Sequence, residues 1–394
     1  MKEIYLDNSA STPIDPRVLR VMNEAYKKYG NPSSFNDAGR LARAEMESAR
    51  LTIARFLGAR PEEIIFTGSG SEANNIALQG TLSKKKGTVL TTPTEHLSVL
   101  ETLKKIEGVK VAYVPVDKQG LVDLRVVEKM LTAHCSLVSI MYANNEIGTL
   151  QPIQKISKII KEYNKKLEIE NWKLKTDATR RVLLHVDACQ AVGFLDVNVN
   201  HLGVDLLTFN GSKINGPRGI GALYIRKGVK ISTYTMGGGQ ERGLRAGTEN
   251  VPAIVGLAKA VALINEQETR NISKLRDYAI ERLEKSVPGI LINGPRGHER
   301  LANNISICVP NLESENLLLE LDKHGISAGS GSACTSHAVE PSHVLKAIGV
   351  PKSHISGALR FSLGRDTTKK DIDYLIKSLA KIIADLTKRY ARFR

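Results

Sequence analysis

The 394-residue sequence holds only four cysteines, Cys135, Cys189, Cys308 and Cys334, and no two stand in a CxxC spacing. That scarcity excludes a disulfide framework and a paired-thiolate zinc site, and no metal site is expected. Aromatic residues make up 5% of the chain and tryptophan occurs once, as Trp172. The basic residues therefore have no aromatic stacking platform between them, as single-strand nucleic-acid binding requires. No apolar run is long enough to span a bilayer, and the start MKEIYLDNSASTP lacks the basic-then-apolar order of a secretory signal. The expectation is a cytoplasmic protein without membrane attachment.

What is present is charge of one sign: the formal net charge is +15. The basic residues are dispersed through helical stretches such as KISKIIKEYNKK and LAKIIADLTKRYARFR. This dispersal reads as a solvated surface, and direct nucleic-acid binding is not expected. The hydrophobic and charged fractions, 42% and 25%, are those of an ordinary globular chain with enough length to bury a large core.

From residue 60 to 226, β-rich runs (EIIFT, TVLTT, VKVAYVP, SLVSIMY, RVLLHVDA, VDLLTF, GALYIR) alternate with amphipathic helical stretches. The alternation predicts an α/β fold with a mostly parallel sheet covered by helices, whose ligands sit at the carboxyl ends of strands. Beyond Gly239 one long helical pattern, NVPAIVGLAKAVALINEQETRNISKLRDYAIERLEKSV, leads into short strands and further helices. We read residues 15–258 as a large domain, with 1–14 and 259–394 forming a smaller α+β domain. Between IQKISKIIKEY and RVLLHVDA, the run NKKLEIENWKLKTDATR exceeds a simple connection and predicts a surface excursion or small hairpin, or else a partner-docking element.

The chemistry concentrates after the strands. FTGSGSEANN follows one strand and opens a helix, so the N–H groups of Gly68 to Ser71, the Ser71 hydroxyl and the helix dipole would hold a phosphate. Gly68, Gly70 and Ala73 also satisfy a dinucleotide pattern, but the next strand, TVLTTP, ends without the acidic residue a ribose would need. Asp187 stands just past an apolar strand, either as a helix cap or as a buried anion facing a cationic ring nitrogen. Lys213 is a single lysine among glycines in FNGSKINGPRGIG, suited to a Schiff base with an aldehyde cofactor. Phosphate cradle, ring carboxylate and lysine together are what pyridoxal 5'-phosphate requires.

His96, in PTEHLSVLET, is either a capping residue or a flat imidazole that stacks on a cofactor ring and moves protons. Asn144 and Asn145, in YANNEIG, offer amides to a ring hydroxyl or a substrate. Cys334, in AGSGSACTSHAVEPSHVL, sits among small polar residues that suit an accessible thiolate. The other three cysteines read as small core hydrophobes. Arg360, in GALRFSLGR, offers a planar fork to a substrate carboxylate.

These motifs are similar, over nearly the whole chain, to those of cysteine desulfurases of the NifS and IscS type. YLDNSASTP, GNPSS, TEH, NNEIGTLQPI, HVDACQAVG, GPRGIGALY, GGGQERGLRAGT, SGSACTS and LRFSLGR occur in that family's order. The resemblance implies the aspartate aminotransferase fold, with a mostly parallel seven-stranded sheet. It implies conversion of L-cysteine to L-alanine, with sulfur left as a persulfide on Cys334. Lys213 would hold the cofactor and take the α proton, Asp187 would keep the ring nitrogen protonated, and His96 would stack on the ring and assist proton transfers. Arg360 and Asn145 would bind the substrate carboxylate, with Asn145 also beside the cofactor. Gly70, Ser71, Asn210 and Ser212 would surround the phosphate, and Gln190 would meet the ring hydroxyl. Thr248 would reach the phosphate of a second subunit, which implies a homodimer.

The implied sulfur acceptor is an iron–sulfur scaffold or a tRNA-thiolation relay. Selenocysteine lyase or cysteine sulfinate desulfinase chemistry on the same cofactor is the alternative. Departures from the family pattern are NGSK, where a histidine usually precedes the lysine, a longer 163–180 segment, and the ending KRYARFR without a scaffold-engaging tail.

Overall fold

A computed structural model describes residues 3–83, 87–174, 181–331 and 341–391, with backbone only at 170–174. Strand β1 is Ile4–Tyr5, followed by helices α1 (Pro16–Tyr26) and α2 (Asp37–Leu57). Strands β2 (Ile64–Thr67), β3 (Thr88–Thr91), β4 (Lys110–Tyr113) and β5 (Cys135–Met141) then alternate with helices α3 (Gly70–Leu82), α4 (Leu97–Lys105) and α5 (Leu124–Met130). Helix α6 (Ile153–Leu174) leads to β6 (Leu183–Asp187), α7 (Val199–Leu202), β7 (Leu206–Asn210) and β8 (Gly221–Ile225).

These strands form one seven-stranded sheet in the order β2-β8-β7-β6-β5-β3-β4. Only β8 runs against its neighbours, β2 and β7. Two antiparallel steps restore the direction of β2, so six strands end at the same edge and β8 begins there at Gly221. The expected aminotransferase-like sheet is thus present. Successive strand residues serve opposite faces: Leu184 and Leu207 pack with α2, α6 and α8, whereas Leu183 and Leu206 pack with α3 and α4. Both layers are buried, which is why these strands read as continuous apolar runs.

The remaining elements are α8 (Val251–Ala262), α9 (Glu266–Ser286), β9 (Leu291–Ile292), β10 (Asn304–Cys308), α10 (Ser314–Lys323) and β11 (Ile326–Ser327). Helices α11 (His343–Ala347) and α12 (Lys352–Ile355), strand β12 (Ala358–Ser362) and helix α13 (Lys369–Ala391) complete the chain. A three-stranded antiparallel sheet, β12-β10-β9, carries its own core with α9, α10 and α13. Ile4 and Leu6 belong to that second core, because β1 pairs with β11 in parallel through Ile4 and Ile326.

Two expectations need correction. The run around Trp172 forms no hairpin up to Leu174: it continues α6, which carries on through NKKLEIENWKL. The long pattern after Gly239 is two helices, broken at 263–265, where Asn265 accepts the Gln267 N–H and starts α9 with its own cap. An apolar stripe continues across the break, so periodicity alone hides it. Among the described residues, no helix is long and apolar enough to cross a membrane.

Candidate active site

The strand ends open into one cleft of about 330 Å³, lined from the large sheet by Ser69–Ser71, Asn74, Glu95, His96, Asn145, Asp187, Gln190, Asn210 and Lys213, and from beyond it by His343 and Arg360. At its floor Asp187, the last residue of β6, is buried. Its Oδ1 accepts the Cys189 N–H at 2.9 Å and its Oδ2 accepts the Asn74 amide at 2.8 Å. The same Asn74 nitrogen donates to Ser98 Oγ at 2.8 Å, and that hydroxyl lies 2.8 Å from His96 Nδ1. A continuous polar chain therefore links the β6 carboxylate to the imidazole. His96 Nδ1 also accepts the Ser98 backbone N–H, so the histidine caps α4 while lining the cleft. The capping and functional readings of His96 are compatible. Burial lowers its pKa, with Asp187 opposing and Lys213 and His343 adding to the shift.

Lys213 follows β7 in a single turn of 3-10 helix. Its Nζ donates to the carbonyls of Ser9 at 2.8 Å and Ala10 at 2.5 Å. Gln190 Nε2 donates to the same Ser9 carbonyl at 3.0 Å. The segment after β1 thus fixes the amine, a role that no spacing within the segment predicts. Gly70 opens α3 where a Cβ would stand 2.6 Å from Cys189 Sγ and 2.9 Å from Asn210 Nδ2, so any larger residue would displace one of these side chains. One expectation about this cradle fails: the Gly68 N–H is taken by Glu72 Oε2 at 2.6 Å, because Glu72 is held there by Arg245. The amides left for an anion are those from Ser69 onward, as the lining shows.

The opposite wall is built differently. Arg360 on β12 is 2% exposed; it donates to Asp7 Oδ1 at 2.8 Å and to the Asn145 carbonyl at 3.3 Å, while its buried Nε has no partner among the described residues. Glu95 Oε1 accepts from the Thr92 hydroxyl at 2.7 Å and the Met141 N–H at 3.0 Å, while Oε2 is buried with no partner among the described residues. Burial, with the nearby Asp187 carboxylate adding to it, pushes the Glu95 pKa up to about 8. Glu146 Oε2 accepts the Ser342 hydroxyl at 2.5 Å, and burial raises its pKa to about 7.

Of the expected site residues, Gly70, Ser71, His96, Asn145, Asp187, Gln190, Asn210, Lys213 and Arg360 come together in the cleft. Ser212 does not line it; its hydroxyl donates to Asn210 Oδ1 at 3.3 Å. Thr248 is exposed and does not line the chain's own cleft. Cys334 lies outside the described residues. Asn144 is structural: its Oδ1 accepts the N–H groups of Glu146 and Ile147. Cys135 and Cys308 are buried as expected, whereas Cys189 borders the cleft. Asn74, Glu95, Glu146 and His343 escaped sequence reasoning, although each lies within or beside a quoted motif.

The residues present fit pyridoxal 5'-phosphate. A helix opening with glycine at its first residue suits a phosphate, a buried carboxylate suits a ring nitrogen, and an amine lines the same cleft. Arg360, a buried guanidinium lining the cleft, suits an amino-acid carboxylate.

Comparison with known proteins agrees. The sequence profile described as aminotransferase class-V matches residues 4–375. The chain is 44% identical to the cysteine desulfurase IscS of Dictyoglomus turgidum, over 98% of this chain and 95% of that one. It superposes on a solved NifS-like protein with a TM-score of 0.87 at 39% identity, covering 97% and 100% of the two chains. A second solved structure, SspA in complex with cysteine, matches with a TM-score of 0.79 at 31% identity, covering 93% and 100%.

Proposed function

The chain belongs to the class V aminotransferase family, among its cysteine desulfurases, and from that premise we propose that it converts L-cysteine to L-alanine and carries the sulfur as a persulfide on Cys334. The observation that supports this most is the meeting of Lys213, Asp187, His96 and Arg360 in a single cleft, contributed by strands far apart in the sequence. Bound pyridoxal 5'-phosphate would supply an electron sink next to the substrate α carbon.

The chain's own residues do the rest. Asp187, bonded on both oxygens, would meet the ring nitrogen of the bound group and keep a proton there. Ser69, Gly70, Ser71 and Asn210 would hold the phosphate, and Gln190 would meet the ring hydroxyl. Arg360, positioned by Asp7, takes the substrate carboxylate together with Asn145. Lys213, steadied by the Ser9 and Ala10 carbonyls, removes the α proton. His96, whose pKa burial lowers, would stack on the ring and move protons at the thiols.

The Cys334 thiolate attacks the substrate sulfur: a sulfur–sulfur bond forms, the carbon–sulfur bond breaks, and the carbon fragment gains a proton to leave as alanine. A sulfur-acceptor protein, serving iron–sulfur assembly or tRNA thiolation, then takes the sulfur. Thr248, exposed and away from its own cleft, supports a homodimer in which it serves the partner's phosphate.

The test is the visible spectrum of the purified protein before and after L-cysteine, with mass analysis of Cys334. A yellow band that changes with cysteine, and a 32-Da addition (~one sulfur atom) on Cys334, are expected. Cys334→Ala should keep the band and lose alanine production by at least ~10³-fold. A persulfide, or undiminished alanine, in that variant sinks the assignment of the nucleophile. Surviving selenocysteine cleavage with no cysteine turnover in the wild type would point to the lyase alternative.

A further inference from the structure

Two histidines line the cleft, and the partner of each fixes its tautomer. His96 Nδ1 lies 3.1 Å from the Ser98 backbone nitrogen, which can only donate. A neutral His96 therefore carries its proton on Nε2. His343, the first residue of α11, places Nε2 2.9 Å from the Glu95 carbonyl, which can only accept. A neutral His343 therefore carries its proton on Nε2 and keeps its lone pair on Nδ1. No described residue hydrogen-bonds to Nδ1.

From this we infer that His343 is a second proton carrier of the cleft: its Nδ1 is the base that takes a proton from the incoming amino-acid substrate. The inference rests on the proposed action on L-cysteine. In the step itself, an N–H bond of the substrate ammonium breaks, its electron pair stays on nitrogen, and a new N–H bond forms at Nδ1. The resulting imidazolium keeps its Nε2–H on the Glu95 carbonyl and returns the extra proton to solvent.

The surroundings suit a base that waits uncharged. Burial lowers the His343 pKa; Lys104 of α4 and Lys346 of α11 lower it further, against the Glu95 carbonyl and Glu101 of α4, and His96 faces it from the cap of α4. The Glu95 carbonyl fixes the tautomer, much as an acceptor behind a histidine does in other proton-transfer sites.

The test uses the full-length holoenzyme and two variants. His343→Gln keeps an N–H for the Glu95 carbonyl but cannot take a proton, and His343→Phe removes both. We expect His343→Gln to retain the wild-type melting temperature and to lose about 10²-fold in kcat/KM for L-cysteine at pH 7. The loss should shrink toward high pH, where the substrate sheds its own proton. Nitrogen-15 spectra of the histidine rings, recorded without substrate, should show His343 protonated on Nε2 alone at neutral pH. A His343→Gln enzyme with the wild-type rate and pH profile would reduce the residue to a structural tie and overturn the inference. So would a ring protonated on Nδ1. If the wild type fails to act on L-cysteine, the proposed function falls by that result, and the ring spectra alone then decide the character of His343.

Discussion

The two sides of the cleft treat carboxyl groups in opposite ways. On the β6–β7 side, Asp187 receives one N–H donor on each oxygen and shares its surroundings with Lys213. On the β3–β5 side, Glu95 receives both donors on Oε1 and none from the described residues on Oε2, and burial pushes its pKa up to about 8. Glu146, on the same side, is raised to about 7. Exposure does not separate them, since all three are buried. The distribution of donors does, because a carboxylate keeps its charge only where hydrogen bonds and cations replace the lost water. One side of the cleft is therefore built to hold charge, and the other to hold protons.

The most severe way to break this contrast is to remove the charge that the first side holds. Asp187→Asn keeps the shape and the Cys189 contact but removes the anion. Turnover of L-cysteine should fall by roughly 10³-fold or more, with weaker retention of the yellow cofactor on dialysis. Near-normal turnover would show that the ring nitrogen needs no anion here.

Removing the cation from the other wall has a smaller effect. Arg360→Ala takes away a charge-assisted bond to the substrate carboxylate, worth about 1.5–3 kcal/mol, so KM should rise roughly 10- to 150-fold. A change confined to kcat would place the carboxylate elsewhere.

The smallest effect is the most specific to the proton-holding side. Glu95 has a folded-state pKa of about 8 against an ordinary 4.5. The native protein thus keeps a proton that the unfolded chain releases, so stability from this group is present below pH 4.5 and is lost as pH rises toward about 8. Glu95→Gln accepts the same two hydrogen bonds and cannot ionise. Its melting temperature should fall less than the wild type's between pH 5 and pH 8, by a few degrees, with activity at pH 7 within about twofold. Parallel melting curves would mean that Glu95 is ionised throughout.

The charge-holding side was legible in the sequence because its logic is local. Asp187, Asn210 and Lys213 each follow an apolar run, and a parallel sheet gathers strand ends at one edge. The proton-holding side was not, because a glutamate's state depends on which donors reach it, and the Met141 amide is 46 positions from Glu95. The Gly68 amide was misread for a related reason: Glu72 is drawn to it while paired with Arg245, which lies 173 positions away. His343 stood in a quoted motif, yet its tautomer is set by a carbonyl 248 positions distant. The continuation of α6 and the break before α9 were missed through local ambiguity, since polar helical turns resemble loops and an apolar stripe can run through a cap.

The pairing of β1 with β11 bears on how the protein is made. Residues 4 to 10 leave the ribosome early, but Ile4 waits for Ile326 before it has a strand to join, an interval of roughly 15–65 s at ordinary translation rates. Residues 12 to 15 of the same segment have nearer partners, since Thr12 and Asp15 bond to Ser212 and Asn215 beside Lys213. A chain cut short before β11 would therefore seat this segment beside the lysine while leaving β1 without a strand to join.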